Sequence, residues 1–319
     1  MEKVVVLGAT GGMGSALVKE LVGQGFETVA FARTKSKLAA LRNKCGDRKY
    51  LMSYYAGDVF NLEDLVNATR GADLIIHSVN IPYPEWEAKL LTLANHVVQA
   101  AKMNRSKLVV VDNVYPYGRP QMDRVTENHP KEPHTKKGKL RLEMERLIFA
   151  AHQTGLPALI ARLPDFYGPE ARNTLLDVTF QAIVKGKSGI FIGSQDLPRE
   201  FIYTPDGAKA VAELSKHADA YGQNWNIPGP GTITGREIIQ IAKDAAGTNK
   251  PVRSIGKNMM AFVGLFNPIV REAVEMMYLN EQPLVLSGEK YERQIGPVPK
   301  TPYAEGIRMT IRSLQEANR

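Results

Sequence analysis

Cysteine occurs once in the 319 residues, as Cys45. An internal disulfide is therefore excluded, and the chain fits a reducing compartment. Long apolar runs are absent as well. The longest, Met259 to Phe266, falls far short of the roughly 20 residues that a membrane-spanning helix needs. The amino terminus carries no signal-peptide pattern, because a buried-strand pattern starts at Lys3, and a cytoplasmic location is expected. There is no metal-ligand cluster, no Cys–His pair and no Gly-x-Ser-x-Gly, which argues against metal and common covalent chemistries. Internal repeats and low-complexity tracts are missing too. A net charge of +8 would suit nucleic acid or an anionic ligand, yet the basic residues are scattered and no nucleic-acid motif accompanies them. The simpler account is a soluble protein with a phosphate-rich cofactor and a small-molecule substrate, binding neither nucleic acid nor membrane. The balance of 44% hydrophobic and 23% charged residues excludes general disorder.

What is present is concentrated at the start. Val4 to Leu7 is a short continuous apolar run, the pattern of a strand buried on both faces. Gly8, Gly11 and Gly14 follow at intervals of three, and Leu17 and Leu21 then continue at helical spacing. Strand, glycine turn and helix in that order make a dinucleotide-binding start. Glycines there permit a tight turn and let a pyrophosphate approach the backbone, and the helix N-terminus supplies N–H groups.

Further strands are expected at Glu27–Ala32, Tyr50–Ala56, Ala72–Ser78 and Lys107–Val111, separated by helices at 36–44, from Asn61 to Thr69, and at 87–103. Asn61 reads as a helix N-cap. This alternation predicts an α/β fold with a doubly wound parallel sheet of Rossmann type. A core over residues 1–165 is expected, then a smaller substrate lobe over 166–319 that sends a segment, about 197–216, back to the core, with a helix from Ala208 to Lys216. Arg33, then Lys35 and Lys37, follow the second strand without an acidic residue. An acid there would hold the ribose 2′-OH of NAD, while an Arg accommodates a 2′-phosphate, so NADP(H) is expected over NAD(H).

The string Gly8-Ala9-Thr10-Gly11-Gly12-Met13-Gly14 resembles the glycine motif of the extended short-chain dehydrogenases/reductases, the NAD-dependent epimerase/dehydratase-like superfamily. Tyr117-Gly118, Arg162-x-x-Asp165-x-Tyr167-Gly168-Pro169 and Arg199-Glu200-Phe201 to Ala208 match later motifs of that family in order. The resemblance implies cofactor contacts from Gly8, Thr10, Gly11, Gly12, Met13 and Gly14, and from Asp58 and Val59 beside the adenine. His77, at a strand end, is expected on the nicotinamide side. A homodimer through the helices at 87–103 and 139–152 is expected on the same ground.

Members of this family carry a Ser/Thr after the fifth strand and a Tyr-x-x-x-Lys on the next helix. Counting from Tyr117-Gly118, Asn113 takes the Ser/Thr position. Lys139 matches the lysine, and Thr135 stands where the tyrosine belongs, which makes this an atypical member. Lys139 is expected to hold the nicotinamide ribose and Asn113 to donate to a substrate carbonyl. Tyr115, Tyr117 and His134 are alternative sources of the missing acid. Asp165, in place of an Asn, either caps its turn or meets a substrate hydroxyl. Three functions follow: an atypical NADP(H)-dependent oxidoreductase on a small carbonyl compound, a non-catalytic NADP redox sensor, and a sugar-nucleotide epimerase or dehydratase. The Met-rich stretch from Met259 to Tyr278 reads as one helical segment of core or pocket wall.

Overall fold

Val4 and Val6 point to one side of their strand and Val5 and Leu7 to the other, and all four are fully buried. A strand of this kind belongs in the middle of a sheet covered on both faces. The computed structural model, which describes residues 2–318, places it there. The first half runs β1 (Lys3–Leu7), α1 (Gly12–Gly23), β2 (Glu27–Ala32), α2 (Lys35–Asn43), β3 (Met52–Ala56), α3 (Leu62–Ala68), β4 (Leu74–His77), α4 (Trp86–Asn104), β5 (Lys107–Asp112), α5 (Lys136–Gln153) and β6 (Ala158–Arg162). The second half runs β7 (Asp165–Tyr167), α6 (Asp177–Val184), β8 (Gly189–Ile192), β9 (Arg199–Tyr203), α7 (Thr204–Leu214), β10 (Asn224–Asn226), β11 (Thr232–Ile233), α8 (Gly235–Ala246), β12 (Val252–Ile255), α9 (Lys257–Gly264), α10 (Pro268–Ala273), α11 (Glu289–Gln294) and α12 (Tyr303–Ala317).

Seven parallel strands in the order β3-β2-β1-β4-β5-β6-β10 form the central sheet of a doubly wound Rossmann-type fold. The strand order reverses between β1 and β4, which opens a ligand crevice at their carboxyl ends. On one face Val5, Leu7, Ile75 and Val110 pack with Leu90 and Val97 of α4 and Met144 and Ile148 of α5. On the other, Val4, Val6 and Ile76 pack with Leu17 and Leu21 of α1, Leu38 of α2 and Val211 and Leu214 of α7. A third cluster, with Phe180, Phe191, Phe201, Ile238 and Ile311, holds the smaller lobe. So α7 and β10, which follow the first lobe segments in sequence, build part of the large core.

Most element boundaries fall where the apolar pattern puts them. Asn61 caps α3 by accepting from the Glu63 N–H at 3.0 Å, and Thr234 and Glu237 form a reciprocal capping box on α8. Three expectations change. Tyr50 lies outside the third strand, 73% exposed in a preceding 3-10 turn. The helix expected from Ala208 begins at Thr204, with Pro205 in its first turn. The stretch from Met259 to Tyr278 is not one buried helix. It breaks before Pro268, where the Asn267 side chain caps α10, and Met259, Phe262 and Phe266 are exposed.

Candidate functional site

The carboxyl ends of β1, β2, β3 and β4 converge on the glycine turn. Gly8 N and Ala9 N both donate to Phe31 O, at 3.0 and 3.1 Å, and Ser78 N donates to Leu7 O at 3.0 Å. Gly8 has φ +82°, and a Cβ on Gly14 would stand 2.1 Å from Gly8 O, so neither position tolerates a side chain. No side chain caps α1 at Gly11. The first N–H groups of α1 are therefore left for an anion, and this glycine cradle fits the pyrophosphate of a dinucleotide. Gly11 is exposed and Thr10 half-buried beside it. The Met13 side chain is core, 4% exposed, so only its backbone can face a phosphate.

A loop after β7 lies across this turn. Ala171 packs so closely on Gly12 that a Cβ there would come within 2.6 Å of its Cα. Glu170 clasps the loop down, reaching Lys19 of α1 at 3.2 Å and Lys44 at 2.5 Å. Arg33 is exposed just past β2, and Asp58 is exposed just past β3. Asp58 accepts from Phe60 N at 3.0 Å, and Val59 is buried.

His77 does not line an open cleft. It is 2% exposed, its Nδ1 has no protein partner, and burial together with the nearby Arg141 charge pushes its pKa down to about 3, so the ring is neutral. The other predicted chemistry also moves. Thr135 is the N-cap of α5, its Oγ1 accepting from Gly138 N at 3.0 Å. Lys139 is exposed on the outer side of α5. Tyr117 is fully buried, donates to Asn226 Oδ1 at 2.8 Å and packs under Arg162, and burial lifts its hydroxyl to about 12. Asn113 is half-buried, its Oδ1 accepting from Tyr115 N at 3.0 Å. His134 is exposed with its ring edge-on to Tyr278.

The face that α5 turns inward carries Lys137, Gly138, Arg141, Met144, Glu145 and Ile148. Its i, i+4 pair is Lys137 and Arg141, and this pair faces inward where Lys139 does not. Two contacts fix the register. Glu145 meets Arg162 of β6 at 2.6 Å in the core. Gly138 fits against Tyr115 O and Pro133, where a Cβ would clash at 2.8 and 2.6 Å. Arg141 lies 3.2 Å from Asp112 Oδ1, donates to Asn80 Oδ1 at 3.2 Å, and stacks over Trp86 at 4.3 Å. Lys137, 3% exposed, is held by Glu272 and by Glu275, the latter at 3.0 Å.

Around Lys137 the pocket is aromatic and polar. Its Nζ lies 5.8 Å from the Tyr83 ring, and the Tyr83 and Tyr115 hydroxyls share a hydrogen bond of 2.6 Å. Burial raises both phenols above their ordinary range. Asp165 does not cap its turn; it pairs with Arg199 at 2.6 Å, and Arg199 also donates to Asn280. Sequence reasoning missed Lys137, Arg141, Tyr83, Glu272 and Glu275. The available signal was Arg162 itself, an arginine in an apolar strand, which requires a buried carboxylate on the covering helix.

The family model for the NAD dependent epimerase/dehydratase family matches residues 4–228. A putative UDP-glucose 4-epimerase of Methanocaldococcus jannaschii is 21% identical over 99% of each chain. An uncharacterized protein of Sinorhizobium fredii is 26% identical over 97% of this chain and 94% of its own. Among solved structures, UDP-glucuronic acid 4-epimerase from Bacillus cereus in complex with NAD superposes with a TM-score of 0.81 at 17% identity, covering 99% of this chain and 100% of that one. The dTDP-glucose 4,6-dehydratase DesIV from Streptomyces venezuelae, with NAD and TYD bound, gives 0.80 at 21% identity over 98% and 97%.

Proposed function

Because this chain belongs to the NAD dependent epimerase/dehydratase family, we propose that it binds a nicotinamide dinucleotide, NADP(H) in preference to NAD(H), and reduces a small carbonyl compound. One observation carries the reaction type: the inward face of α5 carries Lys137, between the carboxylates of Glu272 and Glu275. Epimerases and dehydratases acting on sugar nucleotides begin by deprotonating a hydroxyl, which needs a base. An ammonium is an acid, suited to give a proton to a carbonyl oxygen as that oxygen gains negative charge.

The bound nicotinamide would supply the hydride. Lys137 Nζ would donate the proton, and Asn113 would orient the carbonyl through its amide N–H. Arg141, anchored on Asp112 and Asn80, stands on the same helix face and would support the nicotinamide ribose. The NADP(H) preference rests on exposed Arg33 after β2, followed by Lys35 and Lys37 with no acid between them. NADPH oxidation over a panel of aldehydes, ketones and enones tests the reading. The native protein should turn over at least one of them, and Lys137→Met should lose about 100-fold or more in kcat. Equal turnover by the variant would overturn the assignment of the proton donor.

A second reading, an NADP redox sensor without turnover, is favoured by the raised phenols of Tyr83 and Tyr115, which leave no hydroxyl acid working near neutrality. Tight NADPH binding with no turnover on any panel member would select it.

A further inference from the structure

Between Ala245 and Arg271 the chain has four basic residues, Lys250, Arg253, Lys257 and Arg271, and no acidic one. All four are exposed. The same stretch contains Met259, Phe262, Val263, Leu265, Phe266 and Ile269, each exposed by 40% or more, with Leu265 at 71% and Phe266 at 80%. These are half of the large apolar side chains exposed anywhere among the described residues, gathered on α9, α10 and the turn between them. Scattered exposed apolar residues need no explanation, but a cluster of this size marks a contact surface.

The cluster is built rather than frayed. Gly264 lets α10 approach α9, since a Cβ there would fall 2.9 Å from Arg271 Cα. The Phe262 and Phe266 rings meet edge to face at 6.0 Å. The next two acids, Glu272 and Glu275, turn inward to Lys137, and Glu275 also accepts the Lys136 and Lys137 backbone N–H groups. The hairpin thus shows the outside an apolar tip with a mainly basic margin.

We propose that the α9–α10 hairpin docks on an anionic lipid bilayer, with Phe262, Leu265 and Phe266 entering the interface and Lys250, Arg253, Lys257 and Arg271 meeting headgroup phosphates. Charge decides between a bilayer and a second copy of the chain. Two copies joined through this hairpin would press their basic groups, Lys257 and Arg271 among them, against each other. An anionic surface supplies the missing charge, and the net charge of +8 adds long-range attraction. No helix among the described residues is long and apolar enough to cross a membrane. Short amphipathic helices with an apolar face and basic flanks lie in the interface instead.

Co-sedimentation of the full chain with vesicles tests the proposal. Binding is expected to equimolar phosphatidylcholine and phosphatidylglycerol, weak to phosphatidylcholine alone, and reduced by added salt. The double variant Phe262→Ser, Phe266→Ser should lose binding by about tenfold or more while its thermal melt stays unchanged, since both rings are exposed. Lys257→Glu with Arg271→Glu should lose it on the anionic vesicles only. Three results would overturn the proposal: no binding to either vesicle, equal binding to both, or undiminished binding by the serine variant. Sedimentation equilibrium showing a dimer that the serine variant dissociates would assign the face to self-association and overturn it as well.

Discussion

Arg162 Nη2 and Glu145 Oε2 stand 2.6 Å apart, with the arginine wholly buried at the end of β6. This pair sets the rotation of α5. Arg141 lies one turn before Glu145 and Lys137 two turns before, so both face inward while Lys139 faces solvent. The same arginine reaches Asp112 at 3.1 Å, so the pair also ties α5 to the end of β5.

Removing Glu145 leaves the buried Arg162 with Asp112 as its carboxylate partner, so its charge is only partly compensated. Glu145→Ala should therefore cost about 2–3 kcal/mol in urea denaturation. Lys139→Ala, on the outer side of the same helix, should stay within about 0.5 kcal/mol. Equal costs would mean that α5 is rotated from the position described.

The glycine cradle makes a steric prediction. Gly14→Ala places a methyl 2.1 Å from Gly8 O and should both destabilise the protein by about 2 kcal/mol or more and abolish nucleotide binding. Gly23→Ala, with no atom within 4 Å of the new Cβ, should be neutral or slightly stabilising. Thermal melts with and without NADPH distinguish the two variants.

The proposed NADP(H) preference makes a prediction at Arg33. Arg33→Asp should weaken NADPH by about tenfold or more in a fluorescence titration, through loss of a charge-assisted contact, and change NADH much less. Unchanged selectivity would remove Arg33 from the site.

Glu200 ties stability to pH. It is 5% exposed, accepts from Leu286 N at 2.9 Å and Gly229 N at 3.2 Å, and burial outweighs these bonds to lift its carboxyl to about 8. The folded protein therefore keeps this proton where the unfolded chain, near 4.5, has released it. The stabilisation is full below 4.5 and is lost as the pH rises through about 8. Native stability from urea denaturation should fall between about pH 4.5 and 8, by up to roughly 5 kcal/mol, and Glu200→Gln should flatten that slope. A native profile as flat as that of the variant would contradict the assignment.

The sheet was legible in the sequence because its signals are local. Val4 to Leu7 with the glycines fixes the first turn, and Glu27–Ala32 is found as read. Asn61, Thr234 and Glu237 cap helices by contacts within three residues. The register of α5 was not legible. Thr135/Lys139 and Lys137/Arg141 have the same i, i+4 spacing, and only a partner on another strand, Arg162, separates them. His77 stands at the expected strand end, but the strand pattern does not say that this end is buried beside the Arg141 charge. The Met259–Tyr278 stretch misled for the converse reason: apolar composition states what can be buried, not whether the chain itself buries it.

β10, from Asn224 to Asn226, lies along β6 and closes that side of the large sheet, while Val211 and Leu214 of α7 cover Leu17 and Leu21 of α1. During synthesis, then, the first 165 residues emerge as an unfinished body. One sheet edge has bare N–H and C=O groups, and one helix layer is missing its neighbour. Tertiary closure has to await the arrival of residue 226. The nucleotide crevice is thus a late product of folding, completed by sequence from the half of the chain that carries none of its glycines.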